Sequence, residues 1–351
     1  MSSVSTTPLW GQAWELVVTY ATATGSEQTT IASNSWEPEA LRLTFEVVQS
    51  TLPSPWWFAD INIYNLNSRA IQNTLFNATW ATLKAGFQTG DNLYSIIWDG
   101  PILQVLYGRE DVVDQFVTLH CIANPIVMDS IVGFAAGPFS SQQQIVARMA
   151  ASIGLPPISP TAGTQGNAAN AAMTAKQFPR GKTCFGRVGK YLSQVADDNF
   201  MSTWRDGQQA YISELSNSNA APEITYAPLQ SPGVAPVALP AGVTSSLIGT
   251  PRQTPFGVIF EVLLDPRLKV KLPVMQVQLD RSVTIAQIPV IPNPGSSVVT
   301  PYSNNLAFFV AQVRHTGDTR GNAWQTEVTG YSTTYADNLL NGIFSATAAG
   351  G

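Results

Sequence analysis

Charge is scarce in this sequence: Asp, Glu, Lys and Arg make up 12% of its 351 residues, about half the roughly 25% usual for a soluble globular protein. A subunit largely covered by neighbours shows such a surface, because interface cores are depleted in charge and enriched in aromatics, and the nine Trp fit that account. A β-rich fold with a Ser, Thr, Asn and Gln surface would give the same composition. Basic clusters are missing as well. With a net charge of −5, a pI near 5.0 and no run of Lys or Arg, the chain lacks the cationic face with which nucleic-acid binders displace counterions.

Only two cysteines are present, Cys121 and Cys184, which excludes a disulfide framework and points to a reducing compartment. The two histidines, His120 and His315, leave little from which to build an imidazole metal site. His120 and Cys121 are neighbours in a β-rich run, so they point to opposite faces and cannot ligate one ion from a regular strand. No stretch approaches the ~18 apolar residues of a membrane helix, and Met1 to Leu9 has neither a basic n-region nor an apolar h-region. The expectation is a soluble protein made in a cytoplasm, with no membrane insertion of its own, no cofactor and no metal.

Two chemical signals fail on inspection. Gly181-Lys182-Thr183 ends like a phosphate-binding loop, but the place of that loop's first glycine is taken by Lys176. Asp99, Glu110 and Asp111 lie at or near turns and could pair as carboxylates for glycoside hydrolysis, although turns recruit Asp for local hydrogen bonds far more often. No catalytic residue is assigned, and the reading is not an enzyme.

What the chain has in quantity is alternation. Trp14 to Tyr20 reads as a strand, and Leu41, Leu43, Phe45 and Val47 fall on one face of the next. Ala59 to Leu66, Leu93 to Trp98, Ile102 to Tyr107 and Val112 to Ile122 follow, the last two joined by a tight turn Gly108-Arg109-Glu110-Asp111, while Ser68 to Trp80 could hold a short helix. Residues 1–123 therefore read as a first β-barrel domain. Trp56, Trp57 and Phe58, after Pro53 and Pro55, offer an aromatic platform for sugars, an anchor in a subunit interface, or packing under the barrel end.

Residues 124–216 change period and read as an α+β module. Ile145, Val146, Met149 and Ile153 recur at helical spacing until Gly154, before Pro156-Pro157. A second helix is expected from Phe185 to Ala196, then a hairpin about Asp206-Gly207. Between the helices, 155–183 is rich in Ala, Gly, Asn, Pro and Thr and reads as an extended arm, ordered only against a neighbour. Residues 217–256 read as a Pro-rich linker and 257–351 as a second β-barrel domain with a C-terminal tail. Its clearest feature is a hairpin: Leu306 to His315 leads into a loop, after which Trp324, Thr326 and Val328 share one face. Gly317 and Gly321 are expected to supply positive φ to that loop. Two β-domains flanking an α+β insert suggest an internal duplication.

The words of this hairpin, His315-Thr316-Gly317-Asp318-Thr319-Arg320-Gly321-Asn322-Ala323-Trp324 followed by Thr326-Glu327-Val328, resemble the closing hairpin of the baseplate hub proteins of contractile-tailed phages, a Mu-like family related to the late control D proteins. Leu41-Arg42-Leu43-Thr44-Phe45 and Ala59 to Asn67 look like that family's paired strands, and Ile97-Trp98-Asp99-Gly100-Pro101-Ile102 like its crossing. Phe178-Pro179-Arg180-Gly181-Lys182 resembles its entry to a helix, and Leu247 to Pro251 with Gly257 to Phe260 and Leu263 to Pro266 is similar to a further segment of that family.

The resemblance implies a mainly β chain, two tail-tube-like β-barrel domains flanking a small α+β module, in a virion's tail baseplate. It implies a homotrimeric central hub that adapts the sixfold tail tube to the threefold spike and lines the DNA channel. The implied partners are the tail tube protein, the central spike protein, the tape measure protein and other baseplate proteins, with no sequence-specific nucleic acid. On this reading Trp56, Trp57, Phe58, Asp318, Thr319, Arg320 and Trp324 are candidate interface residues. The alternative is a carbohydrate-binding or cell-wall-degrading tail-tip protein.

Overall fold

The computed structural model describes residues 11–22, 25–33, 41–50, 56–66, 75–87, 94–109, 114–123, 130–158, 160, 164–199, 202–205, 210–213, 223–229, 243–254, 257–270, 275–280, 283, 285 and 307–332. The chain is mainly β, and thirteen of its strands form one continuous sheet. Its first half holds β1 (Gln12–Thr22), β2 (Gly25–Ser33), β3 (Leu43–Ser50), β4 (Trp56–Tyr64), β5 (Ala78–Phe87), β6 (Tyr94–Arg109) and β7 (Gln115–Ile122). Strands β1, β3 and β4 bury alternate residues, as the pleat requires: Trp14, Leu16 and Val18 from β1, Leu43, Phe45 and Val47 from β3, and Ala59, Ile61 and Ile63 from β4 meet in one core. Strand β6 turns a corner at Gly100-Pro101, pairing with β5 before it and β7 after it.

The second half holds β14 (Ile224–Pro228), β15 (Val243–Gln253), β16 (Gly257–Leu263), β17 (Gln276–Leu279), β18 (Ala307–Asp318) and β19 (Trp324–Ser332). These six close into a barrel, because β14 pairs in parallel with both β15 and β17. Its interior is Tyr226, Phe260, Val277, Phe308, Val313 and Val328 among others.

The two halves repeat one arrangement. In the first the antiparallel order is β3-β4-β7-β6-β5, and in the second β15-β16-β19-β18-β17. They differ at the next position. Strand β1 lies antiparallel to β5, whereas β14 lies parallel to β17, so β14 closes its barrel and β1 passes the sheet on to β2.

The middle module contains β8 (Ile131–Ala136), β9 (Ser140–Ser141), α1 (Gln142–Ser152), α2 (Thr164–Ala175), β10 (Gln177–Phe178), β11 (Lys182–Arg187), α3 (Val188–Asp198), β12 (Ser202–Arg205) and β13 (Ala210–Ser213). Ser141 caps α1 in a reciprocal capping box with Gln144. The three helices and the β8–β11 ribbon enclose Val146, Met149, Met173, Cys184, Val188 and Leu192.

Several expectations are corrected. Residues 155–183 are not a structureless arm: α2 lies within them and buries Ala169 and Met173. Their Ala-, Asn- and Thr-rich composition hid the helix because, among its described residues, the buried apolar face is built from Ala169 and Met173 alone. The second helix begins at Val188, since Phe185 sits on β11 opposite Gly133 with its ring exposed. The linker 217–256 contributes β14 and β15 to the second barrel, and β5 went unrecognised because alanines supply much of its inward face. Neither Gly317 nor Gly321 has positive φ. Of the short helix expected within 68–80, residues 78–80 belong instead to β5 and 68–74 lie outside the described residues, as do the turn residues Glu110 and Asp111, the Asp206-Gly207 pair and the tail beyond 332.

Because α2 is packed on the module's own core, Met173→Ala should cost about 2–5 kcal/mol and open residues 164–175 to protease, while the free wild-type chain resists cleavage there. Limited proteolysis beside chemical denaturation checks both outcomes.

Candidate functional site: the seam between the β halves

After pairing with β17 through Ala307 to Phe309, β18 leaves its barrel's neighbour and pairs antiparallel with β3, from Gln312 opposite Ser50 to Asp318 opposite Thr44. The motif that the sequence singled out sits at the end of this seam. Both carboxylate oxygens of Asp318 accept from the Arg42 guanidinium, at 3.3 and 2.9 Å. The next residue binds the Leu43 backbone twice: Thr319 N donates to Leu43 O at 3.0 Å, and Thr319 Oγ1 accepts from Leu43 N at 2.9 Å. Burial raises the Asp318 carboxyl pKa, but the Arg42 side chain and the Arg320 and Gly321 amides outweigh it and hold the group below its ordinary value.

The glycines of this motif serve space, not φ. A Cβ on Gly317 would lie 2.3 Å from the Phe45 ring, and one on Gly321 would lie 2.7 Å from Asp318 Oδ2. Without Gly317, Phe45 and Trp324 could not meet edge to face, with centroids 5.4 Å apart at 74°. Trp324 is 4% exposed and belongs to the first half's core, although it stands on a strand of the second. Its Nε1 donates to Gly86 O at 3.1 Å.

Buried polar groups complete the seam. Gln49 donates to Ile97 O and accepts from Val270 N, joining β3 to β6 and to the segment after β16. Asp265 accepts from Tyr226 Oη at 2.9 Å and from the Arg267 guanidinium at 2.6 Å. Its amide donates to Thr326 Oγ1, which lies 2.9 Å from His315 Nδ1. Among the described residues the other ring nitrogen, Nε2, meets no partner in hydrogen-bonding geometry. Burial pushes the His315 pKa down to about 4, against the pull of the Asp265 carboxylate. The imidazole is therefore neutral at pH 7.

The remaining candidates are held structurally. Trp57 is half-buried between the two β cores, Phe58 is half-buried on β4, and the Trp56 side chain lies outside the described residues. Arg320 is exposed beside Asp318, whose Oδ1 accepts its amide. Asp318, Thr319 and Trp324 are engaged within the chain. Asp99 accepts from Trp80 Nε1 and Thr82 Oγ1, both at 2.7 Å. His120 Nδ1 lies 2.6 Å from Asp60, away from Cys121, whose thiol pKa burial pushes up. Among the described residues no group of three or more His, Cys, Asp or Glu could hold a metal ion. Gly181 adopts φ 76° where a Cβ would strike the Ala136 carbonyl, so its glycine serves a turn.

Reasoning from sequence missed Arg42, Gln49, Asp265 and Thr326. Arg42 stood in a quoted motif, but nothing local links it to a residue 276 positions away.

No protein-family model and no curated protein matches the sequence. Among solved structures the chain is similar to the tail protein from Neisseria meningitidis MC58, at 10% identity over 92% of this chain and 97% of that one, with a TM-score of 0.51. It is also similar to the 43 kDa tail protein of prophage MuSo2 from Shewanella oneidensis (8% identity, 93% and 99% covered, TM-score 0.47). A chain of the PdpA–VgrG complex is matched at 7% identity over 93% of this chain and 66% of that one, with a TM-score of 0.49. At such identities the likeness to the Neisseria protein is one of fold.

Removing the Trp324 side chain should cost about 3–5 kcal/mol and be felt in the other half. Hydrogen exchange of Trp324→Ala should show lost protection in β1 and β5, and a loss confined to β18 and β19 would contradict the seam. A second outcome follows from His315. Its folded pKa lies below its unfolded value of 6.5, so the unfolded chain takes up the proton first. The stability this group confers is full above about pH 6.5 and is lost, by about 3 kcal/mol, as pH falls toward 4. His315→Leu should flatten the unfolding free energy over that window relative to wild type.

Proposed function

We propose that this chain is a structural subunit of a phage-type tail, a hub of three copies at the tail tip that joins a sixfold tube to a threefold spike. The observation that carries the reading is the repeated five-strand arrangement of its two halves, held edge to edge by β18 and β3. Three such chains present six similar β surfaces on one side while remaining threefold on the other, which is what a symmetry adaptor needs. The fold likeness to a tail protein and the low charge support it, since permanent assemblies bury large and apolar interfaces.

On this reading the partners are a second and third copy, the tail tube, spike and tape measure proteins, and other baseplate proteins. An acidic net balance suits a channel through which DNA slides. The wall-degrading alternative finds no support in Asp99, the described member of its carboxylate set, which Trp80 and Thr82 already engage.

Averaged cryo-electron microscopy of assembled tail tips should show three copies beneath the first tube ring. Six copies, or one, would sink the reading.

A further inference from the structure

The intrachain seam has an unused counterpart. Strands β6 and β18 occupy the same place in their halves, and both are bulged at the same point: the β6–β7 register slips between Ile102 and Gln104, the β18–β19 register between Val310 and Gln312. Aligned on that bulge, Ile102-Leu103-Gln104-Val105 matches Val310-Ala311-Gln312-Val313, and Tyr107 falls on His315. The same alignment, carried across β4 and β16, sets Leu43 on Leu247, Glu46 on Arg252 and Val47 on Gln253.

In the second half, β18 is covered by β3. In the first half, Ile102 to Arg109 pairs with β7 on one side and, among the described residues, with no strand on the other. Exposure records the difference. His315 and Ala311 are 0% and 2% exposed, while their counterparts Tyr107 and Leu103 are 45% and 65% exposed. A strand edge that shows Leu103, Leu106 and Tyr107 is a template for another chain unless it is covered. The strand that matches β3 is β15, whose Arg252-Gln253 end lies beyond its pairing with β14.

We infer that the Ile102–Arg109 edge of one copy pairs antiparallel with the Arg252–Gln253 end of β15 in a second copy, repeating between chains the seam that β18 and β3 make within one. Transposing the intrachain register, in which His315 faces Val47 and Thr316 faces Glu46, sets Tyr107 opposite Gln253 and Gly108 opposite Arg252. The contact is heterologous, so successive copies propagate around a ring until it closes. Three copies closing it rests on the function proposed above; the pairing of edges rests on the duplicated register. It gives the exposed Leu103 and Tyr107 side chains the cover that their counterparts Ala311 and His315 already have.

Cysteines placed at the facing positions test it, since residues opposite one another in an antiparallel pair have Cα atoms about 4.5–5.5 Å apart, within disulfide reach. Full-length Tyr107→Cys and Gln253→Cys chains are prepared separately, mixed in equal amounts and oxidised; the native Cys121 and Cys184 are buried. The mixture should give a covalent dimer that neither variant forms alone, and the double variant a ladder ending at three chains. Leu103→Lys should melt as wild type does yet lose the assembled species on light scattering. Wild-type chain that sizes as a trimer while the mixture fails to cross-link overturns this junction and leaves the hub reading standing. Cross-linking of Tyr107→Cys with itself does the same, because it marks a twofold contact. Wild-type chain that stays monomeric throughout overturns both.

Discussion

The backbone pairing of β18 with β3 is the constraint on which the rest of the chain depends. A strand edge left open in water is a liability, and here one half supplies the edge that the other half needs. Everything conspicuous in the C-terminal hairpin follows from making that junction close. Gly317 is small so that Phe45 can reach Trp324. Asp318 and Thr319 fasten the start of β3 through Arg42 and Leu43. Trp324 then fills the core of a half to which its own strand does not belong.

Polar groups inside the seam make it a defined geometry instead of a sliding contact. Gln49, Asp265 and Thr326 are each buried and each bonded across elements. An unpaired group of this kind costs about 1–3 kcal/mol, so any shift of one half against the other forfeits several bonds together. Apolar packing alone would tolerate such a shift. A subunit that must present two β surfaces at a fixed angle gains from the arrangement, and the neutral His315 at its centre keeps charge out of it.

The repeated strand order also shows where the halves differ. Five strands keep the same antiparallel order, but the sixth runs in opposite directions in the two copies. Running parallel to both flanking strands, β14 seals its barrel; β1 instead pairs with β2 and extends the sheet. The same five-strand arrangement thus yields one half closed on itself and one with edges to spare.

Strands with branched or aromatic inward residues were legible from alternation alone: Leu43, Phe45 and Val47, or Trp324, Thr326 and Val328, announce a buried face because every second residue must enter the core. The α1 helix was legible for the same reason at its own period. Elements whose buried face is built from alanine, β5 and α2, were not, since small side chains carry little contrast between inside and outside. The mainly β class, the α+β insert and the two-half plan were thus determined by the sequence itself. What Gly317, Asp318, Thr319 and Trp324 are for was decided only by the tertiary structure, because their partners Phe45, Arg42, Leu43 and Gly86 lie more than two hundred residues away, and pairing at that separation is set by which edges meet, not by local pattern.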